Sequence, residues 1–357
     1  MVDSVKHLRS FWKNKRVFVT GHTGFKGTWL SIYLDLLGAK IFGYSLKAPK
    51  HSLFNQTNCS KLIEKNFYGN VNDLNNLKKK IIISKPDIVF HLAAQPLVSY
   101  SFQDPIGTFQ TNSIGTANLL ESVMTVNSTK AIVIITTDKV YKNNNKNISF
   151  KENDELGGKD PYSASKACAE IIANSFKESF LKNKKSRINL ATARSGNVLG
   201  GGDYSKNRLF PDILKSLNES KEMIVRNPNH IRPWQHVIEP IHGYILLAQK
   251  LYSNKLYNND HAWNFGPKNN SFIRVYDLIN KVKKFKKFKK ISFKKNKIIE
   301  TKILKLSSYK ANKYLKWKQM WDINKTISKI FEWNDNLKMK KNMQDVCRKQ
   351  IEEYLEK

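Results

Sequence analysis

The sequence predicts an α/β protein built on a doubly wound, Rossmann-type parallel sheet, with a second, smaller substrate-binding lobe. One observation is a glycine-rich turn, Gly21-His22-Thr23-Gly24-Phe25-Lys26-Gly27, between a β-branched run and a segment with helical apolar spacing. Another is a pair of nearly continuous apolar runs, 88–94 and 131–136, which are typical of strands buried on both faces. The third is the alternation of predicted strands and helices, because parallel neighbours need crossover connections.

The elements of this sheet are predicted in regular succession. Strands are predicted at 17–20, 40–46, 67–71, 88–94, 131–136 and 187–194. Helices are predicted between them at 29–34, 74–84, 105–123 and 162–181. Asp73 is the expected N-cap of the second helix. The polar segment 47–65 is expected to form a loop or a short helix.

The domains are expected to interleave. Residues 10–195 should form a dinucleotide-binding domain, to which residues around 237–265 return. Residues 196–236 and 266–335 should form the substrate-binding lobe, and 336–357 a C-terminal helical tail. Because no Pro/Gly/Ser-rich linker separates these parts, we expect a cleft between the lobes, beyond the carboxyl ends of the strands.

Composition argues against several classes of protein. With 40% hydrophobic and 11% aromatic residues among 357, the chain is expected to be globular and not disordered. The basic segment 1–15 lacks the apolar core of a signal peptide, and no apolar run approaches the roughly 20 residues that span a bilayer. Cys59, Cys168 and Cys347 lack metal-ligand spacing. We therefore expect a cytoplasmic protein with no metal and no membrane partner.

A formal net charge of +33 allows two interpretations. Clustered Lys and Arg would neutralise the phosphates of a nucleic acid, whereas scattered lysines would form a solvated surface. The densest run, 281–297, alternates lysine pairs with Phe285, Phe288, Ile291 and Phe293. This spacing predicts an amphipathic helix followed by a strand, with the phenylalanines packed inward. We favour the solvated surface and expect no nucleic-acid partner, although a positive field would attract anionic ligands.

Each glycine of the turn has an expected physical task. Gly21 permits the tight turn, Gly24 lets backbone N–H groups approach a pyrophosphate, and Gly27 lets the helix pack close to the strand. A loop of this kind opens many dinucleotide-binding sheets. The spacing here is G-x-x-G-x-x-G, and not the usual G-x-G-x-x-G. By itself the turn is therefore also compatible with a glycine-rich loop that binds nothing.

A phenol and an ammonium are spaced four residues apart in Tyr162-Ser163-Ala164-Ser165-Lys166, on one face of a predicted helix. Because a nearby cation lowers the pKa of a phenol, Tyr162 is expected to accept a proton from a substrate hydroxyl during hydride transfer. The alternative is a core tyrosine beside a surface lysine. Thr136-Thr137-Asp138-Lys139, at a strand end, favours the functional interpretation because it adds an acid and a base.

Together these segments resemble the nucleotide-sugar enzymes of the extended short-chain dehydrogenase/reductase superfamily, and in particular the CDP-glucose 4,6-dehydratases. The resemblance covers roughly residues 10–335 and includes the segments 91–98, 136–141, 160–166, 196–203 and 232–237. Thr-Asp-Lys at 137–139 and Arg-Pro-Trp-Gln-His at 232–236 are the most discriminating segments. Related dTDP-glucose dehydratases carry Glu after the Asp, and 4-epimerases lack such an acid–base pair there.

The resemblance implies a lyase that converts CDP-glucose to CDP-4-dehydro-6-deoxyglucose and water, through an internal NAD-mediated cycle of oxidation, elimination and reduction. Tyr162 would deprotonate the 4-hydroxyl as hydride leaves C4. The resulting ketone would acidify the C5 proton, which Lys139 would help to remove, while Asp138 would protonate the departing 6-hydroxyl. Because adjacent residues of an extended strand point to opposite sides, Asp138 and Lys139 both reach the sugar only if the strand end bends.

The resemblance also implies the membership of the site. Its catalytic residues would be Thr137, Asp138, Lys139, Tyr162 and Lys166. NAD would be bound by Gly21, Thr23, Gly24, Phe25, Gly27, Asn70, Val71, Ala93, Ala94, Gln95, Asn112, Thr136, Tyr162 and Lys166. The substrate would be bound by Asn197, Arg208, Arg232 and His236, with Asp203 as a further candidate. A guanidinium such as that of Arg232 suits a diphosphate because it can bind phosphate oxygens bidentately.

Three positions depart from the family pattern. Ser45 and Lys47 stand where an acidic residue usually binds the adenosine ribose, so the sequence leaves NADP open. Asn70 stands where relatives often have Asp near adenine, and Ser99 where they often have Arg. We expect NAD, because a cycle that restores its own cofactor needs no reducing pool.

Two alternatives stay open from the sequence. One is another nucleotide-sugar 4,6-dehydratase, or a 4-epimerase of the same superfamily, against which Asp138 and Lys139 argue. The other is a non-catalytic, basic nucleotide-binding or nucleic-acid-binding protein, against which Tyr162 and Lys166 argue. The resemblance further implies a homodimer or homotetramer formed through helices that flank the site, and a role in supplying deoxysugars for surface polysaccharide.

Overall fold

The computed structural model describes residues 2–145, 147–182, 187–254, 256, 261–294 and 301–356. The strands are β1 Arg16–Thr20, β2 Lys40–Ser45, β3 Ile63–Tyr68, β4 Ile88–His91, β5 Ala131–Ile135, β6 Asn189–Ser195, β7 Val198–Leu199, β8 Met223–Arg226, β9 Ile231–Pro233, β10 Gln235–His236, β11 Ala262–Phe265, β12 Phe272–Arg274 and β13 Ile291–Lys294. The α-helices are α1 Val2–Trp12, α2 Phe25–Leu36, α3 Leu53–Gln56, α4 Leu74–Ser84, α5 Val98–Ser101, α6 Pro105–Phe109, α7 Gly115–Val123, α8 Pro161–Phe176, α9 Leu209–Asn218, α10 Ile238–Tyr252, α11 Val275–Lys283, α12 Tyr309–Leu315, α13 Ile323–Lys338 and α14 Met343–Leu355.

Seven strands form a parallel sheet in the order β3-β2-β1-β4-β5-β6-β11. After β3, at one edge of the sheet, the chain crosses back and places β4 on the other side of β1. The later strands then continue outward from β4. Helices cover both faces: Val17 and Val19 of β1 enter one hydrophobic core, and Phe18 enters another on the opposite face. This is the doubly wound sheet that the sequence predicts, and its switch point lies between β1 and β4.

The predicted helices are present, with local irregularities. Asp73 caps α4, since its Oδ1 accepts a hydrogen bond from the Asn76 N–H at 3.0 Å. The segment 105–123 is continuously helical because a π turn at Gln110–Ile114 joins α6 to α7. Similarly, α8 continues through a π turn at Lys177–Leu181. The sequence periodicity therefore located the helical segments but not their π turns.

The third strand is wrong in its predicted position. It runs over Ile63–Tyr68 and not over 67–71, and Ile63 pairs with Ile41 of β2. Just after the strand, the Gly69 N–H still donates to the Ser45 carbonyl oxygen of β2 at 2.9 Å, and an added Cβ at Gly69 would lie only 2.4 Å from the Tyr44 hydroxyl. The strand therefore lies earlier in the chain than the apolar pattern indicated.

The lysine-rich run also differs from its prediction. Helix α11 ends at Lys283, before Phe285, and the side chains of Phe285 and Phe293 are 41% and 46% exposed. They lie against other aromatic rings near the surface, whereas Phe288 and Ile291 pack on the hydrophobic core of this region. The prediction that all the phenylalanines pack inward is therefore wrong. Residues 295–297 of the run lie outside the described residues.

After β6 the chain builds a third hydrophobic core from α9, β8, α11 and α13, which includes Phe210, Val225, Leu278 and Ile330. Three short strand pairs accompany it, β7 with β10, β9 with β12 and β8 with β13. Helix α14 packs against α2, and an Arg348–Asp35 ion pair joins the two helices. The helix that follows the glycine turn is therefore supported by the last helix of the chain. Among the described helices, none combines the length and apolar character needed to cross a bilayer.

Candidate active site

A cleft of about 860 Å³ lies beyond the carboxyl ends of β1, β4, β5 and β6. The glycine turn forms one wall, and the irregular segment after β6 forms the opposite wall. The cleft therefore lies where an open parallel sheet binds ligands. Its lining includes most residues predicted for the site, namely Gly21, Thr23, Gly24, Phe25, Gly27, Asn70, Val71, Ala93, Ala94, Thr136, Thr137, Lys139, Tyr162, Lys166, Asn197, Arg208 and Arg232.

Two glycines of the turn are required by its geometry. Gly21 has a φ of +73°, in the left-handed region, and an added Cβ would lie 2.7 Å from the Ala93 nitrogen. At Gly27 an added Cβ would lie 2.1 Å from the Gly21 carbonyl oxygen, so only glycine lets α2 start this close to β1. The first N–H groups of α2 have no intrahelical acceptor and face a turn without bulky side chains. This arrangement suits a phosphate group.

Tyr162, the second residue of α8, lines the cleft and is 9% exposed. Burial raises the pKa of its phenol, while Lys139, a hydrogen bond with Thr137, and Arg208 act to lower it. The sequence predicted Lys166 as the cation that lowers this pKa. In the structure, Lys139 exerts the largest lowering influence, so this part of the prediction is corrected.

Lys166 is turned toward the sheet. Its ammonium donates a hydrogen bond to the Ile135 carbonyl oxygen at 3.1 Å. Burial lowers the pKa of Lys166 to about 8, and the carboxylate of Glu170, one turn further along α8, acts in the opposite direction. Lys166 therefore joins α8 to the end of β5, and it lines the cleft beside Tyr162.

The strand end after β5 bends, as the adjacent acid and base require. Asp138–Val140 forms a 3₁₀ turn, which Thr137 caps by accepting a hydrogen bond from the Lys139 N–H. The Lys139 ammonium lies 3.3 Å from Asp138 Oδ1, to which the Thr137 hydroxyl also donates. Asp138 is 1% exposed and lies behind Lys139 and Thr137, not in the cleft wall, and no described residue forms a hydrogen bond with its Oδ2. The turn thus places an ion pair beside Tyr162, with its lysine toward the cleft.

Gln95 and Asn112, predicted to bind the cofactor, lie outside the cleft lining. The Asn112 side-chain amide donates to the Gln95 carbonyl oxygen at 3.1 Å and to Ser165 Oγ at 2.9 Å, and Asn112 Oδ1 accepts from the Gln95 N–H. The Gln95 side chain bonds Thr108 and the Leu97 N–H. Both residues therefore fix the loop after β4 against α8, instead of facing a ligand.

At the end of β2, the Thr23 hydroxyl lies 2.8 Å from Ser45 Oγ and donates to the Leu46 carbonyl oxygen. Ser45 and Leu46 line the cleft, whereas the exposed Lys47 does not. Asn70 lines the cleft, and its Oδ1 accepts a hydrogen bond from the Asn72 N–H. Lys47 therefore does not place a cation in this part of the cleft wall.

The opposite wall is polar and basic. The Arg232 guanidinium is 5% exposed and donates to the carbonyl oxygens of Ile231 and Lys302 at 3.0 and 3.2 Å. Arg208 forms an ion pair with Asp203 at 3.2 Å. Asn197 lines the cleft, and its buried Oδ1 has no hydrogen-bond partner among the described residues. An incoming polar ligand can donate a hydrogen bond to this oxygen.

His236 is not brought to the cleft, and its predicted contact with a substrate is corrected. Its ring is fully buried between Trp29 and Trp321, with ring centroids 5.8 and 4.9 Å away. Nδ1 accepts a hydrogen bond from the Ile238 N–H, and burial lowers the pKa of His236 to about 3. The imidazole is therefore a neutral part of the interior at the start of α10.

Lys26 and Ser195 are among the cleft residues that are missing from the predicted set of site residues. The Lys26 ammonium donates to Ser195 Oγ at 2.8 Å and to the Tyr244 hydroxyl at 3.5 Å. Both residues line the cleft. The signal for Lys26 was present, because a lysine stands inside the glycine motif. Ser195 ends β6 and carries no such signal.

Comparison with known proteins gives the family. Residues 18–330 match the family model described as GDP-mannose 4,6 dehydratase. The chain belongs to this family. Its relatives include the protein named CDP-glucose 4,6-dehydratase from Salmonella typhimurium, which is 47% identical over 77% of this chain and 77% of its own length.

Several solved structures have a fold similar to that of this chain. A dTDP-glucose 4,6-dehydratase from Bacillus anthracis in complex with NAD has a TM-score of 0.75 at 21% identity, covering 90% of this chain and 96% of its own. An epimerase from Methanothermobacter thermautotrophicus has a TM-score of 0.79 at 19% identity, covering 94% of this chain and 96% of its own. These structures support the fold of the family.

Proposed function

We propose that this member of the family is a nucleotide-sugar 4,6-dehydratase that uses NAD and acts on CDP-glucose. The observation that carries the proposal is the convergence of Tyr162, Thr137 and Lys139, which is paired with the buried Asp138, in one cleft beside the glycine turn. The relative named CDP-glucose 4,6-dehydratase, at 47% identity, supports the choice of sugar-nucleotide. The product is CDP-4-dehydro-6-deoxyglucose, and water is released.

The cleft fits a dinucleotide on the side of the glycine turn. Gly21 and Gly24 leave backbone uncovered at the N-terminus of α2, where a pyrophosphate is favoured. Ser45 and Leu46, which line this part of the cleft, are uncharged, and a dTDP-glucose 4,6-dehydratase of similar fold is in complex with NAD, which supports NAD as the cofactor. We assign to Lys166, which lines the cleft beside Tyr162, the role of holding the nicotinamide ribose. When bound, NAD supplies the acceptor for the C4 hydride and the source of the hydride returned to C6.

Tyr162 serves the oxidation step. Its phenolate takes the proton of the sugar 4-hydroxyl as the C4–H bond breaks, and C4 becomes a ketone. Thr137, which is hydrogen-bonded with Tyr162, orients this oxygen. Because burial favours the neutral phenol, the positive charge of Lys139 is needed to make the phenolate accessible.

The Asp138–Lys139 pair serves the elimination. The two side chains can share one proton across 3.3 Å, as ammonium and carboxylate or as amine and acid. In the second form Lys139 takes the C5 proton, which the 4-ketone acidifies, and Asp138 delivers a proton to the departing 6-hydroxyl. The products of this step are water and the original ion pair. When the hydride returns to C6, C5 takes up one proton and Tyr162 gives up the proton that it accepted from the 4-hydroxyl, so the proton count closes over the whole cycle. Because Asp138 lies behind Lys139, we assign proton delivery to the pair as a unit.

The wall opposite the glycine turn receives the nucleotide diphosphate. Arg232 and Arg208 supply positive charge, and Asn197 offers its unpartnered side-chain oxygen to a hydroxyl or amino donor of the substrate. The third hydrophobic core stands behind these residues. We infer that 196–236 and 266–335 supply the substrate-binding lobe, except that Ala311, Leu315, Trp317 and Trp321 pack into the core of the sheet domain.

We also infer a homodimer of a cytoplasmic enzyme. Ile106, Ile114 and Ile171 are 68%, 53% and 59% exposed and lie on α6, the π turn after it and α8, which pack against one another. An exposed apolar face of this kind favours self-association. The three cysteines form no disulfide, which is in keeping with a reducing compartment. Equilibrium sedimentation of Ile171→Lys should show monomer where the unaltered chain shows dimer.

The decisive experiment follows isotope and mass. CDP-glucose carrying deuterium at C4 is incubated with the protein and NAD, and the product is analysed by mass spectrometry and NMR. Loss of one water, with the deuterium recovered at C6, is expected because the cycle returns the hydride within the molecule. In deuterated water, unlabelled CDP-glucose should gain one deuterium at C5. The dTDP-, GDP- and UDP-sugars serve as parallel substrates.

The other outcomes have defined meanings. Water loss from a different sugar-nucleotide alone would keep the reaction and overturn the CDP-glucose assignment. A product of unchanged mass, inverted at C4, would identify a 4-epimerase. Turnover of no sugar-nucleotide, together with tight and salt-sensitive binding of nonspecific duplex DNA, would replace the enzyme with a nucleic-acid-binding protein.

A further inference from the structure

Lys26 is a cation of the cleft that the proposed reaction does not use. It is the second residue of α2, and its partly buried side chain runs from the glycine turn to the end of β6. There the ammonium donates to Ser195 Oγ at 2.8 Å and to the Tyr244 hydroxyl at 3.5 Å. Two of its three N–H groups thus meet neutral oxygens, and the third has no acceptor among the described residues.

The charges around Lys26 are predominantly positive. Arg208, Lys166 and Lys139 all act against its charge, and only Asp138 supports it. Asp138 is already paired with Lys139 at 3.3 Å, and Arg208 with Asp203 at 3.2 Å. No ion pair formed by the described residues includes Lys26. An incompletely paired ammonium in a basic cleft is expected where a ligand brings negative charge.

Ser195 adds a second donor at the same place. Its Oγ accepts hydrogen bonds both from Lys26 at 2.8 Å and from the Tyr244 hydroxyl at 2.9 Å. Its own hydroxyl proton has no acceptor among the described residues, although Ser195 is only 2% exposed and lines the cleft. The Lys26–Ser195 pair therefore presents both an ammonium and a hydroxyl proton to a cleft ligand.

We propose that Lys26 and Ser195 form a further binding site for a diphosphate oxygen of a nucleotide held in the cleft. The inference rests on the proposed function only for the choice of probes, a dinucleotide and a sugar-nucleotide. Both carry a diphosphate. Lys26 starts from the glycine turn and lines the same cleft as Arg208 and Arg232, so the site is open to a dinucleotide and to a sugar-nucleotide. Tests with each nucleotide alone distinguish the two sources.

Binding at this site is expected to take up a proton. Burial and the neighbouring cations Arg208, Lys166 and Lys139, acting against Asp138, together lower the pKa of Lys26 to about 7. Tyr162 and Tyr244 stay neutral near pH 7, because burial raises the pKa of both phenols. A diphosphate favours the ammonium and therefore raises the pKa of Lys26. Affinity should accordingly fall as pH rises from 7 to 9.

The test is calorimetric titration of Lys26→Met with four probes: NAD, ADP-ribose, CDP-glucose and CDP. Loss of a charge-assisted hydrogen bond should weaken the diphosphate ligand roughly 10- to 100-fold. Lys338→Met removes the same charge from an exposed helix end and should bind as the unaltered chain does. Lys26→Arg keeps the charge and should lose the pH dependence, because a guanidinium does not titrate in this range.

If Lys26→Met loses affinity for both NAD and ADP-ribose, the site belongs to the dinucleotide. If it loses affinity for both CDP-glucose and CDP, the site belongs to the substrate. If Lys26→Met binds NAD more weakly but ADP-ribose with unchanged affinity, the proposal is overturned. It is also overturned if the variant binds all four probes as tightly as the unaltered chain does. Titration of the unaltered chain in two buffers of different ionisation enthalpy should show proton uptake at pH 7.5, and its absence also overturns the proposal even if Lys26→Met does not fold. Nucleotide binding without sugar turnover would defeat the proposed function and leave this inference intact.

Discussion

Burial and nearby positive charge shift the pKa of the Tyr162 phenol in opposite directions. Burial raises its pKa, and Lys139 is the largest influence that lowers it. A group of this kind can be a base only while the cation is in place. The activity of Tyr162 therefore depends on a residue from a different element, the turn after β5.

Replacing Tyr162 by Phe removes the proton acceptor and leaves the ring in place. We expect the rate of water loss to fall by roughly 10²- to 10⁴-fold, the range typical of general-base catalysis. The thermal midpoint should change little. Tyr309→Phe, at a side chain that is 71% exposed, is the matched control. A Tyr162→Phe variant with near-normal turnover would remove the phenol from the mechanism.

Replacing Lys139 by Met should raise the pKa of Tyr162 still further, because the phenolate loses its main cation. Ultraviolet difference titration reads tyrosinate directly, and subtraction of the same titration on Lys139→Met/Tyr162→Phe isolates this phenol. The midpoint should move to higher pH than in the unaltered chain. Lys142→Met, three residues along and in an exposed pair with Glu155, should leave it in place. An unmoved midpoint in Lys139→Met would show that Lys139 does not control the phenol.

Helix α8 carries more of the site than its Tyr-Lys spacing indicates. Tyr162, Lys166 and Glu170 follow one another at four-residue intervals along one face. The Glu170 carboxylate accepts hydrogen bonds from Thr136 and Thr192 and pairs with Arg194 at 2.9 Å. This buried cluster ties the ends of β5 and β6 to the helix, and so fixes both sides of the cleft floor relative to Tyr162.

The stability of an Arg194→Met variant tests whether the Glu170 cluster holds the ends of β5 and β6 to α8. The Arg194 and Glu170 side chains are 2% and 0% exposed, so the variant leaves a buried carboxylate without its cation. We expect a loss of about 3–5 kcal/mol in the free energy of unfolding, measured by urea denaturation. Arg274→Met breaks an Asp277 pair whose side chains are 50% and 33% exposed, and should cost about 0–1 kcal/mol. Equal losses would mean that the buried pair does not hold the strand ends.

At the scale of the whole molecule, Glu239 joins distant parts of the chain. This buried residue of α10 accepts hydrogen bonds from the Trp321 N–H at 2.7 Å, the Met320 N–H at 3.1 Å and the Tyr354 hydroxyl at 2.7 Å. It therefore fastens the segment before α13 and the last helix, α14, to the face of the sheet that also carries α2. The glycine turn depends on this packing because α14 supports α2.

Glu239 should make the stability of this packing depend on pH. Burial raises its pKa from 4.5 to about 7, so the folded chain holds the proton more tightly than the unfolded chain. The corresponding stability is complete below pH 4.5 and is lost as pH rises to 7. Glu239→Gln cannot titrate, so its thermal midpoint should fall less between pH 5 and 7.5 than that of the unaltered chain. The exposed Glu352→Gln should keep the full decrease. Parallel curves for Glu239→Gln and the unaltered chain would contradict this role.

The sheet was predictable because its signals are local. Strands buried on both faces have to be apolar throughout, and a glycine at +73° or under a 2.1 Å approach has no substitute, so the runs at 88–94 and 131–136 and the turn at 21–27 could be read directly. The third strand was misplaced because its position is set by pairing with β2, from Ile63 to Tyr68, and not by its own apolar residues. Phe285 and Phe293 were misplaced because α11 ends before them, and nothing in the lysine spacing marks that end.

The sequence by itself determined the residue types of the site, Tyr162 and Lys166 at helical spacing and Asp138 beside Lys139, along with the loop that opens the sheet. Only the tertiary structure decided which cation faces the phenol, that Asp138 lies behind Lys139, that His236 is enclosed by Trp29 and Trp321, and that Lys26 points at Ser195. The reason is physical. Spacing along one element fixes which side chains share a face, whereas burial and charge at a strand end depend on side chains contributed by distant segments.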